Sequence, residues 1–252
     1  IAAVGGDGSL HEVLGGICDW CTETGTPTED FFLAVIPIGS GNDWIKSCRV
    51  PDDVAGVVDL IATESFGWMD ILRATTGDGR TAWMANCGGV GFDSHVCERV
   101  NQQKERGMRD KMIYLNSLLY TIFHLKAISM LVRADGQEIF SGKALSLAVG
   151  NGPYSGGGMR QVPLAANDDG LLDYMVVPKT KLSRLMKEIP RLFAGTVHES
   201  ALIRSGRCRT LEIAPLDKAS ADIIEFDGEI EGHLPLTLEV TGTRIRVPRG
   251  RA

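Results

Sequence analysis

"VGGDGSLHEV", residues 4–13, sets three glycines and an aspartate between an apolar run and a helical pattern. Glycines at 5, 6 and 8 let the backbone take positive φ and admit a ligand where a Cβ would otherwise stand. A helix that follows such a turn aims its free N–H groups back at it, which makes an anion site. Two nucleotide signatures fail here. No Gly-Lys-Ser/Thr follows, as a Walker loop requires, and His11 occupies the third glycine position of the dinucleotide fingerprint. A tight strand-to-helix connection with no ligand would be the plain reading if Asp7 were absent. A carboxylate inside an anion-binding turn repels phosphate unless a cation lies between them, so Asp7 argues for Mg2+ together with a nucleotide.

"IPIGSGNDW", residues 36–44, repeats the arrangement with Gly39, Ser40, Gly41, Asn42 and Asp43. In an open α/β sheet, turns at the carboxyl ends of the strands line one crevice, so both are expected to face a common ligand. "IAAV" and "FFLAVIPI" read as buried parallel strands. "HEVLGGICDW" and "DVAGVVDLIA" read as helices, the second with Pro51 at its start and Asp52 and Asp53 in its first turn. From about Trp68 the apolar period changes to two, with hairpin signals at "TGDG" (76–79) and "ADGQ" (134–137). A mostly antiparallel sandwich or barrel is expected there. Two helical inserts interrupt it, one with Leu115, Leu118, Leu119, Ile122 and Phe123 on one face, the other with Leu182, Leu185, Met186, Ile189, Leu192 and Phe193.

With 252 residues and 44% hydrophobic content, the chain can bury a sizeable core, as a soluble globular protein does. The net charge of −6 offers no general attraction to nucleic acid. Six scattered cysteines, mostly inside apolar runs, are expected to stay reduced. The lone Cys18-x-x-Cys21 lacks the further ligands of a structural zinc site. The longest apolar stretch, residues 114–132, is broken by Asn116, Ser117, His124 and Lys126 and does not make a membrane span of roughly 20 apolar residues. His95, His124, His198 and His233 show no metal-binding spacing.

Taken in order, "GGDGSLHEV", "IPIGSGNDW", "SLAVGNGPYSGGGMRQVPLAANDDGLLDYMVV" (146–177) and "FDGE" (226–229) resemble the diacylglycerol kinase catalytic-domain family, lipid kinases that include sphingosine and ceramide kinases. The resemblance covers nearly the whole chain and is closest to the soluble bacterial type; NAD kinases share only the first motif well. It implies α/β + β architecture. A partial α/β nucleotide-binding domain over residues 1–66 would be followed by an antiparallel β-sandwich domain with helical inserts over 67–252, its C-terminal end free to return to the first domain.

The resemblance also implies roles. Gly5, Gly6, Asp7, Gly8 and Ser9 would meet the ATP triphosphate, and Gly39, Ser40, Gly41 and Asn42 would line the same pocket. Asp43 would join a carboxylate and water network reaching the catalytic Mg2+. Asp227 would take the proton from the lipid hydroxyl, with Glu229 near the nucleotide; without the resemblance, "EFDGEIEG" reads as an ordinary turn between strands. Asp169, with the carbonyls of Ala166 and Leu171, would hold a second Mg2+ or Ca2+, for which the alternative is an Asp-Gly turn kept by hydrogen bonds alone. The three glycines at 156–158 would lie beside the interdomain cleft.

Three positions depart from the family pattern. Ser9 stands for the usual Thr, Lys46 for Arg, and His11 for Asn as in the sphingosine kinase branch. The family also carries a strand-loop-helix segment with an Asn-Pro-x-x-Gly-type motif ahead of the first turn, which these residues lack, so a fragment is expected. Diacylglycerol is the expected acceptor. The alternatives are a sphingosine or ceramide type of kinase, or a non-catalytic lipid-binding relative. A lipid acceptor implies a cytoplasmic protein that touches membranes peripherally. Lys104, Arg106, Arg109 and Lys111, and Lys179, Lys181, Arg184, Lys187 and Arg191, supply basic patches for that contact, unless they are simply solvated helix faces. A homodimer is compatible with the sequence.

Overall fold

The computed structural model describes residues 1–39, 41–107 and 112–250. Ser40, Arg109 and Lys111 lie outside the described residues, as does the side chain of Leu115. Strand β1 (Ala2–Gly5) leads into helix α1 (Asp7–Thr24), and β2 (Ala34–Pro37) pairs in parallel with β1 before α2 (Asp43–Cys48) and α3 (Val54–Ala62). Helix α1 buries Leu10, Leu14, Ile17, Cys18 and Cys21, spaced along one face, and stops at Gly25, whose φ of 73° suits a residue without Cβ. Asp53 is the N-cap of α3, accepting from Gly56 N–H at 2.8 Å, so the helix starts later than Pro51 and the two aspartates suggested.

The remaining strands are β3 (Phe66–Thr76), β4 (Thr81–Met84), β5 (Cys87–Gly91), β6 (Ile128–Ala134), β7 (Gln137–Gly150), β8 (Tyr154–Ser155), β9 (Met159–Arg160), β10 (Leu172–Pro178), β11 (Arg204–Cys208), β12 (Thr210–Pro215), β13 (Ile223–Phe226), β14 (Glu229–His233) and β15 (Leu236–Pro248). Apart from the small β8–β9 hairpin they form one antiparallel sheet in the order β14-β13-β5-β7-β6-β12-β15-β3-β4, with β10 and β11 branching from β7. The architecture is thus a small α/β part followed by a large antiparallel β domain with a few helices. Strand β5, "CGGVG", escaped the period-two reading because it is mostly glycine. A Cβ at Gly88 would stand 2.4 Å from the Glu225 carbonyl oxygen of the neighbouring strand, so only glycine fits.

Two long strands serve both cores. Leu72 and Ala74 of β3 and Leu236 and Leu238 of β15 belong to the core of the large sheet. Met69 and Ile71, with Ile245 and Val247, belong to the core built on α1, β2 and α2. A register shift between Val240 and Arg244 separates the two halves of β15, and its far end runs beside Phe32.

The inserts form α4 (Phe92–Glu105) with α5 (Met112–His124), and α6 (Leu182–Leu185) with α7 (Ile189–Ala194). The second insert is two short helices because Pro190 sits at the start of α7, where it cannot continue a preceding helix. In α5, Ile122 and Thr121 are buried while Leu119 and Phe123 face outward, so the expected apolar face is split.

Candidate active site

The two glycine turns meet backbone to backbone. The Gly5 carbonyl accepts from Ile38 and Gly39 N–H at 3.1 and 3.3 Å, and a Cβ on Gly39 would stand 2.5 Å from Gly6 Cα. No other residue fits at Gly39 without moving the first turn. Ser9 folds its hydroxyl back over Gly5, and Glu229 Oε1 lies over Gly8, each in space that a Cβ would fill. Asn42, at a φ of 50°, donates to the Gly39 carbonyl at 2.9 Å, while its Oδ1 is buried beside Gly6 and Gly39 with no partner among the described residues.

Asp7 spans from the first turn to the second. Its carboxylate accepts from Asp43 and Trp44 N–H at 3.1 and 3.0 Å, which caps α2. Burial pushes the Asp7 carboxyl upward, opposed by those two bonds and reinforced by the charges of Asp43 and Asp227. Asp43 is itself buried. It receives Lys46 Nζ at 2.5 Å and Gly157 N–H at 2.7 Å. Gly156, Gly157 and Gly158 all have positive φ, the conformation that turns this backbone donor onto Asp43. Lys46 thus balances Asp43 as a point charge.

Asp227 occupies a turn with φ of 54°, followed by Gly228 at 91°, the paired positive φ values of a tight hairpin. The ordinary-turn reading of "FDGE" is therefore correct for the backbone. The carboxylate does something further. It accepts N–H bonds from Ala85, Asn86 and Cys87 at 2.9, 2.9 and 3.1 Å, and His11 Nδ1 lies 3.2 Å from Oδ2. His11 Nε2 in turn reaches Glu231 at 3.0 Å. Burial alone would lower the His11 pKa, but the bonds to Asp227 and Glu231 outweigh it and push it up to about 10. His11 is an imidazolium clamped between two carboxylates.

Two residues of this site, Glu225 and Glu231, flank the "FDGE" motif and were given no role by the sequence. Burial, with Asp93 nearby, raises the Glu225 carboxyl well above the usual range. An acid inside the apolar run "ADIIEF" was the available signal. Glu231 was marked by nothing except its alternation with Glu229 along β14. Burial, then the charges of Asp227, Glu225, Asp43 and Asp7, raises the Cys87 thiol well above its ordinary range.

The loop of residues 165–171, with the start of β10, is built differently. Asp169 accepts Leu171 N–H at 3.1 Å and pairs with Arg207 at 3.0 Å, and Arg207 also holds Asp173 at 3.2 Å. Asp70 accepts Gly170 N–H at 2.7 Å and pairs with Arg244 at 2.7 Å, while Arg249 reaches Asp168 at 2.8 Å. Ala166 and Leu171, whose carbonyls were the other expected ligands, stand in this same loop. Among the described residues, no group of three or more His, Cys, Asp or Glu side chains is spaced to hold a metal ion.

Comparison with known proteins gives a coherent answer. Residues 1–74 match the diacylglycerol kinase catalytic domain model, and residues 88–249 match the YegS C-terminal NAD kinase beta sandwich-like domain. A Xanthomonas axonopodis pv. citri protein named "Probable lipid kinase YegS-like" is 30% identical over 257 residues, covering 98% of this chain and 77% of that protein. A Mycobacterium tuberculosis protein named "Diacylglycerol kinase" is 25% identical, covering all of this chain and 77% of the relative. The crystal structure of a diacylglycerol kinase from Bacillus anthracis superposes with a TM-score of 0.73 at 25% identity, covering 99% of this chain and 77% of that one.

Proposed function

Because the chain belongs to the YegS-like and diacylglycerol kinase family of lipid kinases, we propose that it transfers the γ-phosphoryl group of ATP to the hydroxyl of diacylglycerol, forming phosphatidic acid. The observation that carries this reading is the contact of Gly6 with Gly39 beside Asp7 and Asp43, in Coulombic reach of Asp227. A crevice floored by glycine backbone and flanked by carboxylates from separate elements suits a polyphosphate bound with a cation.

In this reading the triphosphate lies against Gly6, Gly8, Gly39 and Gly41, and the unpartnered Asn42 Oδ1 accepts from it or from water around it. Asp7 and Asp43 fit a hard cation through oxygens with free lone pairs, and Mg2+ held there would neutralise charge on the phosphates. Asp227 accepts the proton as the lipid oxygen bonds to the γ-phosphorus and the bond to the β-phosphate oxygen breaks. Three backbone donors and His11 hold its carboxylate rigidly for that purpose. Asp169, Ala166 and Leu171 could still ligate an accessory ion, at the expense of the Arg207 pair.

His11, shared with the sphingosine branch, makes sphingosine a second acceptor to test. Transfer of labelled γ-phosphate to mixed micelles of diacylglycerol, sphingosine or ceramide is the direct assay. Diacylglycerol is expected to be labelled, and Asp227→Asn to lower the rate by about 10² to 10⁴, the range for a positioned base. Undiminished transfer in Asp227→Asn, or phosphorylation of NAD with no lipid present, would overturn the reading.

A further inference from the structure

We propose that α6 and α7, together with the outer face of α5, form the surface by which this protein docks on an anionic bilayer. Both inserts rest on the same apolar cluster of Cys87, Leu145, Val162, Met175 and Val177, against which Leu125 packs from one and Leu185 and Leu192 from the other. Both inserts are thus anchored on one side of the β domain. That side is unusually apolar: Phe123 is 70% exposed and Phe193 61%, with Leu119, Tyr120 and Met186 also out in solvent.

Its charge opposes that of the rest of the chain. Residues 179–194 carry Lys179, Lys181, Arg184, Lys187 and Arg191 against the single acid Glu188, in a protein whose net charge is −6. Among the described residues the first four form no ion pair, and Glu188 is taken by Arg191 at 3.5 Å. Cations interleaved with exposed apolar side chains on short helices match the headgroup layer of an anionic membrane, where the apolar groups enter the acyl boundary. A protein partner would need a dry, shape-matched patch; long unpaired lysines suit a fluid anionic surface better.

The surface is also joined to the site. Gly195, which ends α7, packs against the Arg160 guanidinium of β9, and the turn between β8 and β9 presents Gly157 N–H to Asp43. A bilayer under α7 thus lies one hairpin away from the catalytic carboxylates.

The choice of a bilayer as partner rests on the lipid-kinase reading, but the vesicle test does not read catalysis. Vesicles of phosphatidylcholine alone, and of phosphatidylcholine with an equal part of phosphatidylglycerol, are sedimented with the protein. Binding is expected only to the second, weakening as salt rises. Each cation near such a surface contributes roughly a fivefold gain in partitioning, so Lys181→Glu with Arg184→Glu and Lys187→Glu, which remove three cations and add three repelled charges, should weaken binding by more than about 100-fold. Phe193→Ser should lose the part of the binding that survives high salt. All four positions are solvent-exposed, so folding should be intact, and circular dichroism checks it. Transfer to lipid in detergent micelles should be unchanged in the charge variant, which separates failed docking from a wrong substrate. Equal vesicle binding by variant and parent, or a concentration-dependent dimer that buries this face in place of a bilayer, would overturn the proposal.

Discussion

Two sets of carboxylates in this protein are held by different means, although Asp7 and Asp227 of one set and Asp169 of the other look alike in sequence, each an aspartate beside glycine. Asp7, Asp43 and Asp227 receive backbone N–H groups, with Lys46 and His11 as the charged partners. Asp70, Asp168, Asp169 and Asp173 receive guanidiniums from Arg244, Arg249 and Arg207. Amide donors orient a carboxylate without cancelling its charge, whereas a bidentate or charged arginine contact does both. In the first set Lys46 and His11 offset part of the charge and Asp7 has amide donors alone, so this set keeps more capacity to meet a cation or a proton. The second is already satisfied, and acts as a strut that fastens the 165–171 loop and the start of β10 to β3, β11 and β15.

The largest effect should come from removing charge in the amide-held set. Asp43→Asn keeps an acceptor for Gly157 N–H but loses the pair with Lys46, and phosphoryl transfer is expected to fall about 10³-fold, within the range of electrostatic catalytic terms. A rate within tenfold of the parent would place Asp43 among the struts instead. Next in size is a stability effect in the other set. Asp70 is buried at 1% exposure, so Asp70→Ala leaves Gly170 N–H and Arg244 without their acceptor and should cost about 3 kcal/mol of unfolding free energy in urea. A cost under about 1 kcal/mol would remove the reason to treat these arginine contacts as fastenings.

How much of this was open to a reader of the sequence depends on distance along the chain. The glycine turns, the change from helical to alternating period and the hairpin at Asp135-Gly136 are local patterns, and each was legible from its own residues. What decides the two sets is not local. Arg207 and Arg244 lie dozens of residues from the aspartates they meet, and His11 reaches Asp227 and Glu231 across 216 and 220 positions. No spacing rule connects them. Strand β5 was hidden for a different reason, since close strand approach demands glycines, which carry no alternation to read. The split face of α5 likewise follows from what the helix packs against, whereas the break at Pro190 is a local signal carried by the proline itself.

His11 offers a smaller, pH-resolved distinction. Its pKa, raised from 6.5 to about 10, makes the imidazolium stabilising below pH 6.5, with that stabilisation lost as pH rises towards 10. His11→Asn should therefore be less stable than the parent by about 2 kcal/mol at pH 6.5, the scale of a charge-assisted hydrogen bond, and the gap should close towards pH 10. Parallel urea titrations at the two ends of that window give the answer. A gap that is constant with pH would mean that His11 is held as a neutral ring, and Asp227 would then lack its one cationic neighbour.

The smallest effect is the most discriminating for the loop. Asp169 and Arg207 are both partly solvent-exposed, so their pair should contribute less than about 1 kcal/mol, and Asp169→Ala should barely move the melting temperature. If the guanidinium is the true partner, adding Mg2+ or Ca2+ should shift the melting temperature of parent and variant alike, because neither holds the ion in this loop. If an ion displaces Arg207, only the parent should gain stability with rising divalent cation, by the mass-action dependence expected of a ligand that binds the folded state. Arg207→Gln sharpens the choice. Freed of its guanidinium, Asp169 should bind the ion more tightly when the loop is a masked metal site, whereas a strut simply weakens and shows no new dependence on divalent cations.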